Sequence, residues 1–203
     1  KAIELDPSFG VAYGLAAYCH LMQVVFEWNT PPEHWVKEGV RLAHLAAEKG
    51  GNDPEALWMA GRTLAALGGE VIRGLALIEK SLALNPNSAR AWWMSGMTHA
   101  HMGNADTALD HFARARRLNP LDTSEHGHWS GIAAAYLFSG NFESAEEAAD
   151  RALTDWPRSP PALRLKAAIC GLLGRIEEGG EYVRRLLALN PEVTVASVSA
   201  LNR

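Results

Sequence analysis

Five segments of this chain end in the same way, and this repetition limits the fold more than any other feature of the sequence. Each segment has a basic residue, a run of helix-forming residues and a proline: KAIELDP (1–7), KSLALNP (80–86), RARRLNP (114–120), RALTDWP (151–157) and RLLALNP (185–191). The last four prolines are 34, 37 and 34 residues apart. Proline ends a helix because it lacks an N–H group and disfavours helix in the residue before it. This period predicts stacked helical repeats rather than one globular core.

Other positions fall into register when the segments are aligned on these prolines. Successive repeats place a bulky residue, a turn glycine and a small residue in the same order: Trp92, Gly103 and Ala108; Trp129, Gly140 and Ala145; Leu163, Gly174 and Gly179. The pattern resembles the tetratricopeptide repeat (TPR), with its fullest copy in Trp92, Gly96, Gly103, Ala108, Phe112, Ala115 and Pro120. The resemblance covers nearly the whole chain. It implies an all-α fold, a right-handed α-α superhelical solenoid of TPR helix hairpins.

The same alignment divides the chain into repeats. We expect a single TPR domain fragment over 1–203, with the tail of a preceding repeat at 1–8, repeats at about 10–52, 54–87, 89–122, 126–159 and 160–193, and a tail at 194–203. Repeat 1 has no glycine at its middle turn, and we expect Gln23–Asn29 (QVVFEWN) to extend its first helix or turn. Because Lys1 opens the chain within a repeat ending, we expect a piece of a longer protein.

Composition argues against several classes of protein. The chain is 48% hydrophobic with a formal net charge of −4, which is too apolar and too weakly charged for disorder. With 19 Lys and Arg against 23 Asp and Glu, it lacks the basic surplus of a nucleic-acid binder. Cys19 and Cys170 are too few for a disulfide framework, and we expect both to be small buried residues. No apolar run is long enough to span a membrane. We therefore expect a cytoplasmic protein without a nucleic-acid or membrane partner.

The sequence offers no catalytic or metal-binding motif. Neither HExxH, nor a phosphate-binding GxxxxGK[ST], nor GxSxG is present. His99 and His101 are two residues apart, so they diverge on a helix, and His126 and His128 could share an ion only in a loop. We expect no enzyme activity in this fragment, no catalytic residue, no metal and no cofactor.

The first helix of each repeat is expected to line a concave groove. The residues at the groove-facing positions form our predicted peptide-binding set: Tyr18, Trp58, Arg62, Arg90, Trp93, Met97, His101, Ser130 and Arg164. Aromatic, Met and Arg side chains concentrate binding energy at interfaces, and arginines can pair with carboxylates. The alternative for Trp58 and Trp93 is packing against a neighbouring repeat. The Lys and Asn pair with which some TPR domains grip chaperone C-termini is absent, so we expect a different partner.

Three stretches resemble a particular bacterial group: Ala2–His20, Ser81–Gly96 and Leu118–Leu153. They are similar to the C-terminal TPR regions of rhizobia-like class III adenylate/guanylate cyclases, and to TPR regions that follow winged-helix DNA-binding domains. The resemblance implies a regulatory module in signal transduction, with cyclic-AMP synthesis in another domain of the parent. It implies a protein or peptide partner, which could be the parent's own N-terminal domain or a second copy in a homodimer. Small-molecule sensing in the groove is a further alternative.

Overall fold

The chain folds entirely into α-helices wherever its structure is described. The computed structural model describes residues 2–26, 33–121, 125–192 and 194. Within these ranges there is no strand, which confirms the expected all-α fold. The helices are α1 (Ala2–Leu5), α2 (Gly10–Phe26), α3 (Glu33–Gly50), α4 (Pro54–Leu67), α5 (Val71–Leu84), α6 (Ala89–His101), α7 (Ala105–Leu118), α8 (Glu125–Phe138), α9 (Phe142–Asp155), α10 (Pro160–Leu172) and α11 (Ile176–Leu189).

From α2 onward the helices pair into hairpins. The first helices of the pairs, which we name the A helices, are α2, α4, α6, α8 and α10, and the second helices are α3, α5, α7, α9 and α11. Each A helix packs against its own partner and against the next A helix along the chain. The hairpins therefore stack side by side as a solenoid, with the A helices facing a common interior.

The apolar core is divided into local clusters along this stack. Ile78 and Leu82 of α5 pack with Met94 of α6, across the junction of the second and third hairpins. Phe112 of α7 is 1% exposed and packs with Ala100 of α6 and Ala135 of α8. Each hairpin thus completes its core with side chains from its neighbour, as a repeat protein requires.

Polar caps and glycines fix the ends of these helices. Asp53 accepts hydrogen bonds from the backbone N–H groups of Glu55 at 2.8 Å and Ala56 at 3.2 Å, at the start of α4. The turn of the third hairpin places Gly103 at φ +77°, a conformation that favours glycine. In the second hairpin Gly69, at φ +68°, takes this role, and Gly68 keeps a helical conformation.

Glycines also let the two helices of a hairpin approach closely. A Cβ atom at Gly61 of α4 would lie 2.4 Å from the carbonyl oxygen of Gly74 in α5, and a Cβ at Gly74 would lie equally close to the Gly61 oxygen. In the third hairpin, a Cβ at Gly96 would lie 2.5 Å from the Phe112 ring and 3.1 Å from the Ala108 oxygen. The small residues predicted from the repeat pattern therefore set the spacing between paired helices.

The first A helix closes the solenoid interior against the last. Arg164 of α10 donates a hydrogen bond from Nη2 to the backbone oxygen of Val25 in α2 at 2.8 Å. Beside this bond the rings of Phe26 and Trp156 have centroids 6.0 Å apart. The sequence predicted a concave groove but gave no indication of this contact between its first and last helices. The cause of the contact is the length of α2, which has 17 residues where the other A helices have 13 or 14. Residues 27–29 of the predicted extension lie outside the described ranges.

An ion-pair network around the buried Lys166 joins the fourth and fifth hairpins. Lys166 of α10 is 3% exposed and donates to Glu146 Oε1 at 2.9 Å and to Asp150 Oδ1 at 2.7 Å. Arg175 donates from Nη2 to both oxygens of Glu146, each at 2.7 Å. Burial alone would lower the pKa of Lys166, but its hydrogen bonds to Asp150 and Glu146 outweigh burial and raise it. The hydrogen bond from Lys166, assisted by Arg175, holds the pKa of the Glu146 carboxyl below its ordinary value.

The different space around Gly61 and Gly180 predicts opposite effects on stability for their substitution by alanine. Gly61→Ala places a methyl group against the α5 backbone and should lower the free energy of unfolding by about 1–3 kcal/mol. Gly180→Ala, where a Cβ meets nothing within 4 Å inside helix α11, should raise it by about 0.5–1 kcal/mol. Urea unfolding followed by circular dichroism measures both changes. Equal stability of the two variants would contradict the assigned close approach.

The closing contact predicts local rather than global weakening in Arg164→Met. Loss of the hydrogen bond to Val25 should speed amide hydrogen exchange in the last turn of α2 by about tenfold, because a hydrogen bond to a charged group contributes about 1.5–3 kcal/mol. Exchange in α5 should not change. Arg151→Met, which removes only a guanidinium stacked on Trp129, serves as the control. An α2 exchange rate like that of the wild type would show that the contact does not close the interior in solution.

The ion-pair network predicts a pH-dependent contribution to stability. The pKa of Glu146 is lowered on folding, so its stabilisation is present above the unfolded pKa and is lost as pH falls through the folded pKa. Glu146→Gln should cost about 1.5–3 kcal/mol at neutral pH, and the difference from wild type should vanish as pH falls through the lowered folded pKa of Glu146. Glu181→Gln, which breaks an exposed pair with Arg184, should change stability much less. Chemical unfolding at several pH values measures both differences, and a deficit in Glu146→Gln that is independent of pH would contradict the assignment.

Candidate functional site

A cavity of about 900 Å³ lies inside the ring of A helices. Its wall comes from all five A helices, from Asn85 just after α5 and from the C-terminal end of α7. Eight of the nine residues predicted for the groove border this cavity: Tyr18, Arg62, Arg90, Trp93, Met97, His101, Ser130 and Arg164. The fold therefore brings together side chains that are up to 146 positions apart in the sequence, between Tyr18 and Arg164. Their role in binding a ligand stays a prediction.

Trp58 is the exception among the predicted groove residues. Its side chain is 5% exposed and does not border the cavity. The indole lies edge-to-face against Tyr18, with ring centroids 5.1 Å apart, and its Nε1 donates to Glu55 Oε2 at 2.7 Å. Trp58 thus belongs to the core beneath Tyr18, which corrects its assignment as a groove residue. The packing alternative considered from the sequence describes it.

Trp93 combines the two alternatives considered for it. Its ring borders the cavity, but it also packs on Phe112 with centroids 4.5 Å apart. Gly131 lies in the next hairpin, and a Cβ there would lie 2.7 Å from the Trp93 indole. Glycine at this position therefore makes room for the Trp93 ring. The adjacent Trp92 lies elsewhere, where its Nε1 donates to the Pro86 carbonyl at 2.8 Å.

The groove-facing positions predicted from the sequence do not include all of the apolar wall. Val25 and Phe26 at the end of α2, and Leu165 of α10, also border the cavity. The only signal for the first two was the long first helix of repeat 1. No local pattern could have placed that helix end next to α10, because they meet only once the solenoid has curved.

The charged side chains along the cavity are predominantly arginines. Arg62, Arg90, Arg116 and Arg164 border it, and Glu55 is the single acidic residue among its described lining. Glu55 is already engaged by the Trp58 indole. The cavity therefore carries an excess of positive charge, although the whole chain has a formal net charge of −4.

His101 shows how this environment disfavours further positive charge. Although His101 is exposed on the cavity wall, desolvation by the surrounding protein, together with the positive charge of Arg62, lowers its pKa to about 4. Its Nδ1 lies 2.6 Å from the Met97 carbonyl oxygen and donates to it, because a carbonyl can only accept. His101 also packs on Phe138, with ring centroids 5.3 Å apart. At neutral pH the imidazole is thus an uncharged part of the cavity wall.

The described residues contain one group with the spacing of metal ligands, which lies away from the cavity. Ligand-type atoms of Glu146, Cys170 and Glu178 lie within 4.8 Å of one another. Because Lys166 and Arg175 both bind Glu146, their positive charges oppose a metal cation, and we assign no metal site there. No motif in the sequence indicated this ion-pair network. The sequence analysis also expected both cysteines to be buried, whereas Cys19 is exposed and only Cys170 is buried.

Comparison with known proteins places the chain among helical repeat proteins. The tetratricopeptide repeat family model matches residues 59–123 and 131–193. A curated relative, the photosystem I assembly protein Ycf3 of Synechococcus sp. (strain CC9605), is 32% identical over 108 residues, which is 52% of this chain and 62% of that protein. The match thus spans less than two thirds of the relative's length.

Solved structures of low sequence identity share the fold. A thermophilic TPR protein of Thermus thermophilus matches with a TM-score of 0.64 and 21% identity, over 83% of this chain and 91% of that one. The APC/C hetero-tetramer Cut9–Hcn1 matches with a TM-score of 0.68 and 18% identity, over 100% of this chain and 37% of that one. MamA of Desulfovibrio magneticus RS-1 matches with a TM-score of 0.55 and 22% identity, over 77% and 86%.

The helices described in the structure include none that is both long and apolar enough to cross a membrane.

Together the family match, the helical hairpins and the shared fold establish the class of the protein. The chain belongs to the tetratricopeptide repeat family and is a protein-interaction module.

Proposed function

We propose that this module acts as a scaffold that holds an extended segment of a partner protein inside the cavity. The observation that carries the proposal is the apolar wall left accessible within the ring of A helices. Phe138 is 43% exposed and borders the cavity, as do the partly exposed Met22 and Met97. Methionine and aromatic side chains adapt to varied partners and supply much of the binding energy at interfaces.

The similarity to Ycf3 supports an assembly role. That protein is named for photosystem I assembly, and it shares 32% identity with this chain over 108 residues. Because the match covers 62% of Ycf3, its partners are not carried over to this chain. The similarity therefore supports a role in assembly in general terms only.

The finer assignment from the sequence concerns the parent protein. We propose, from the resemblance of the repeats, that the module regulates a bacterial adenylate or guanylate cyclase, with a winged-helix regulator as the alternative. The relatives named above include neither class. Cyclase output of the parent with and without residues 1–203 tests this assignment, and equal output would contradict it. The proposed homodimer is tested separately, by the molar mass of the chain in light scattering.

Selection of peptides tests the proposed function directly. Peptides enriched from a random phage-displayed library should bind wild type, and Phe138→Ala should weaken them by about tenfold, because burying a large apolar side chain contributes about 1.5–3 kcal/mol. We choose Phe138 over Trp93, since Trp93 also packs on Phe112 and its loss would disturb the core. Isothermal titration calorimetry measures the affinities.

A matched variant separates the cavity from the outer surface. Ile72 of α5 is 73% exposed and does not border the cavity, so Ile72→Ala should leave peptide affinity unchanged. Thermal melts should show that both variants are folded. Enriched peptides that bind Phe138→Ala as tightly as wild type would rule out the cavity as the binding site.

A further inference from the structure

Arg62 is buried on the cavity wall without an acidic partner. Its side chain on α4 is 6% exposed and borders the cavity. Among the described residues, no Asp or Glu forms an ion pair or hydrogen bond with its guanidinium group. The nearby groups are the phenol of Tyr18 and the imidazole of His101, and neither carries negative charge at neutral pH.

This arrangement leaves the guanidinium charge without a counter-ion from the fold. Burial lowers the pKa of Arg62 to about 10, so the group remains charged at neutral pH. A buried charge without a counter-ion destabilises a protein, and an apolar side chain of similar size is commonly more stable at such a position. The guanidinium fork matches a carboxylate in shape and hydrogen-bonding pattern. The position of Arg62 is therefore suited to an acidic ligand.

The surroundings of Arg62 favour an acidic ligand with apolar flanks. Arg90, Arg116 and Arg164 add positive charge along the same cavity, against the single carboxylate of Glu55. Between these charges the wall is apolar, with side chains such as Met97. A ligand that is anionic at one point and apolar on either side would complement both features.

The extent of the lining favours a polypeptide over a small molecule. Residues of the wall come from the first hairpin to the last, and the four arginines stand on four different helices, α4, α6, α7 and α10. Small-molecule sites commonly have a few polar groups that converge on one point. Here the arginines stand on four helices of the wall, which suits a chain that makes several contacts.

Resting on the proposed scaffold function, we propose that the cavity binds a polypeptide segment in which an Asp, Glu or C-terminal carboxylate, flanked by apolar side chains, pairs with Arg62. The carboxylate supplies the counter-ion that the fold itself lacks. Apolar neighbours of that carboxylate lie along the Met97 and Phe138 side of the cavity.

The peptides from the phage selection provide the test. We expect the enriched pool to contain more Asp and Glu than the unselected library, next to apolar residues. For a synthetic peptide of the most enriched sequence, Glu→Gln or Asp→Asn at the acidic position should weaken binding to wild type by about tenfold or more. Arg62→Met should bind the acidic and amide peptides equally, which identifies Arg62 as the partner in a double-mutant cycle.

Two variants control for charge and for folding. Arg73→Met removes an exposed arginine of α5 outside the cavity, and it should keep the full preference for the acidic peptide. Arg62→Met should also melt at a higher temperature than wild type in the absence of peptide, a result that a merely structural arginine would not give. If Arg62→Met does not fold, the comparison of acidic and amide peptides on wild type decides alone.

Other outcomes would overturn the inference. A cavity-dependent pool without acidic enrichment would refute the role of Arg62 and leave the scaffold function intact. A preference for acid that persists undiminished in folded Arg62→Met would place the carboxylate elsewhere. If dodecanoate bound in an Arg62-dependent way and no peptide bound in the cavity, the ligand would be a small amphipathic anion and not a polypeptide. A pool that does not depend on Phe138 would refute the scaffold function itself.

Discussion

The close approach of paired helices is the constraint on which the rest of this structure depends. At Gly61 and Gly74 the backbones of α4 and α5 are near enough that neither position has room for a Cβ atom. Such spacing gives each hairpin a flat, narrow shape, and flat hairpins can stack with a regular rotation. The hollow inside the stack is a result of that rotation rather than of any single residue. A change in helix spacing would therefore alter the binding cavity even though the glycines do not border it.

The sequence predicted the elements that follow from local chemistry. Proline spacing and turn glycines such as Gly103 indicated the helical hairpins, because these residues act on the backbone within one turn. The groove-facing positions indicated most of the cavity wall for the same reason, since a helix fixes which residues share a face. Trp58 was assigned wrongly because it shares that face with cavity residues, yet Tyr18 from the preceding hairpin covers it.

What the sequence could not predict depends on contacts between distant repeats. The hydrogen bond from Arg164 to Val25 joins residues that are 139 positions apart, and it depends on the summed rotation of all the hairpins. The ion-pair network around Glu146 was missed because its members come from three helices or turns. The sequence likewise does not show whether an arginine will lack an acidic partner. The burial of Arg62 is seen only in the three-dimensional structure.

The contact between α2 and α10 has a consequence for the route by which any guest reaches the interior. A groove that is open along its side can bind a segment from that side, even when folded domains flank the segment at both ends. A closed ring accepts only what can be threaded along its axis, or what waits for the ring to part. A guest segment flanked on both sides by folded domains is too wide to thread, so its arrival would be limited by the rate at which α2 separates from α10. A guest with a free terminus would face no such delay.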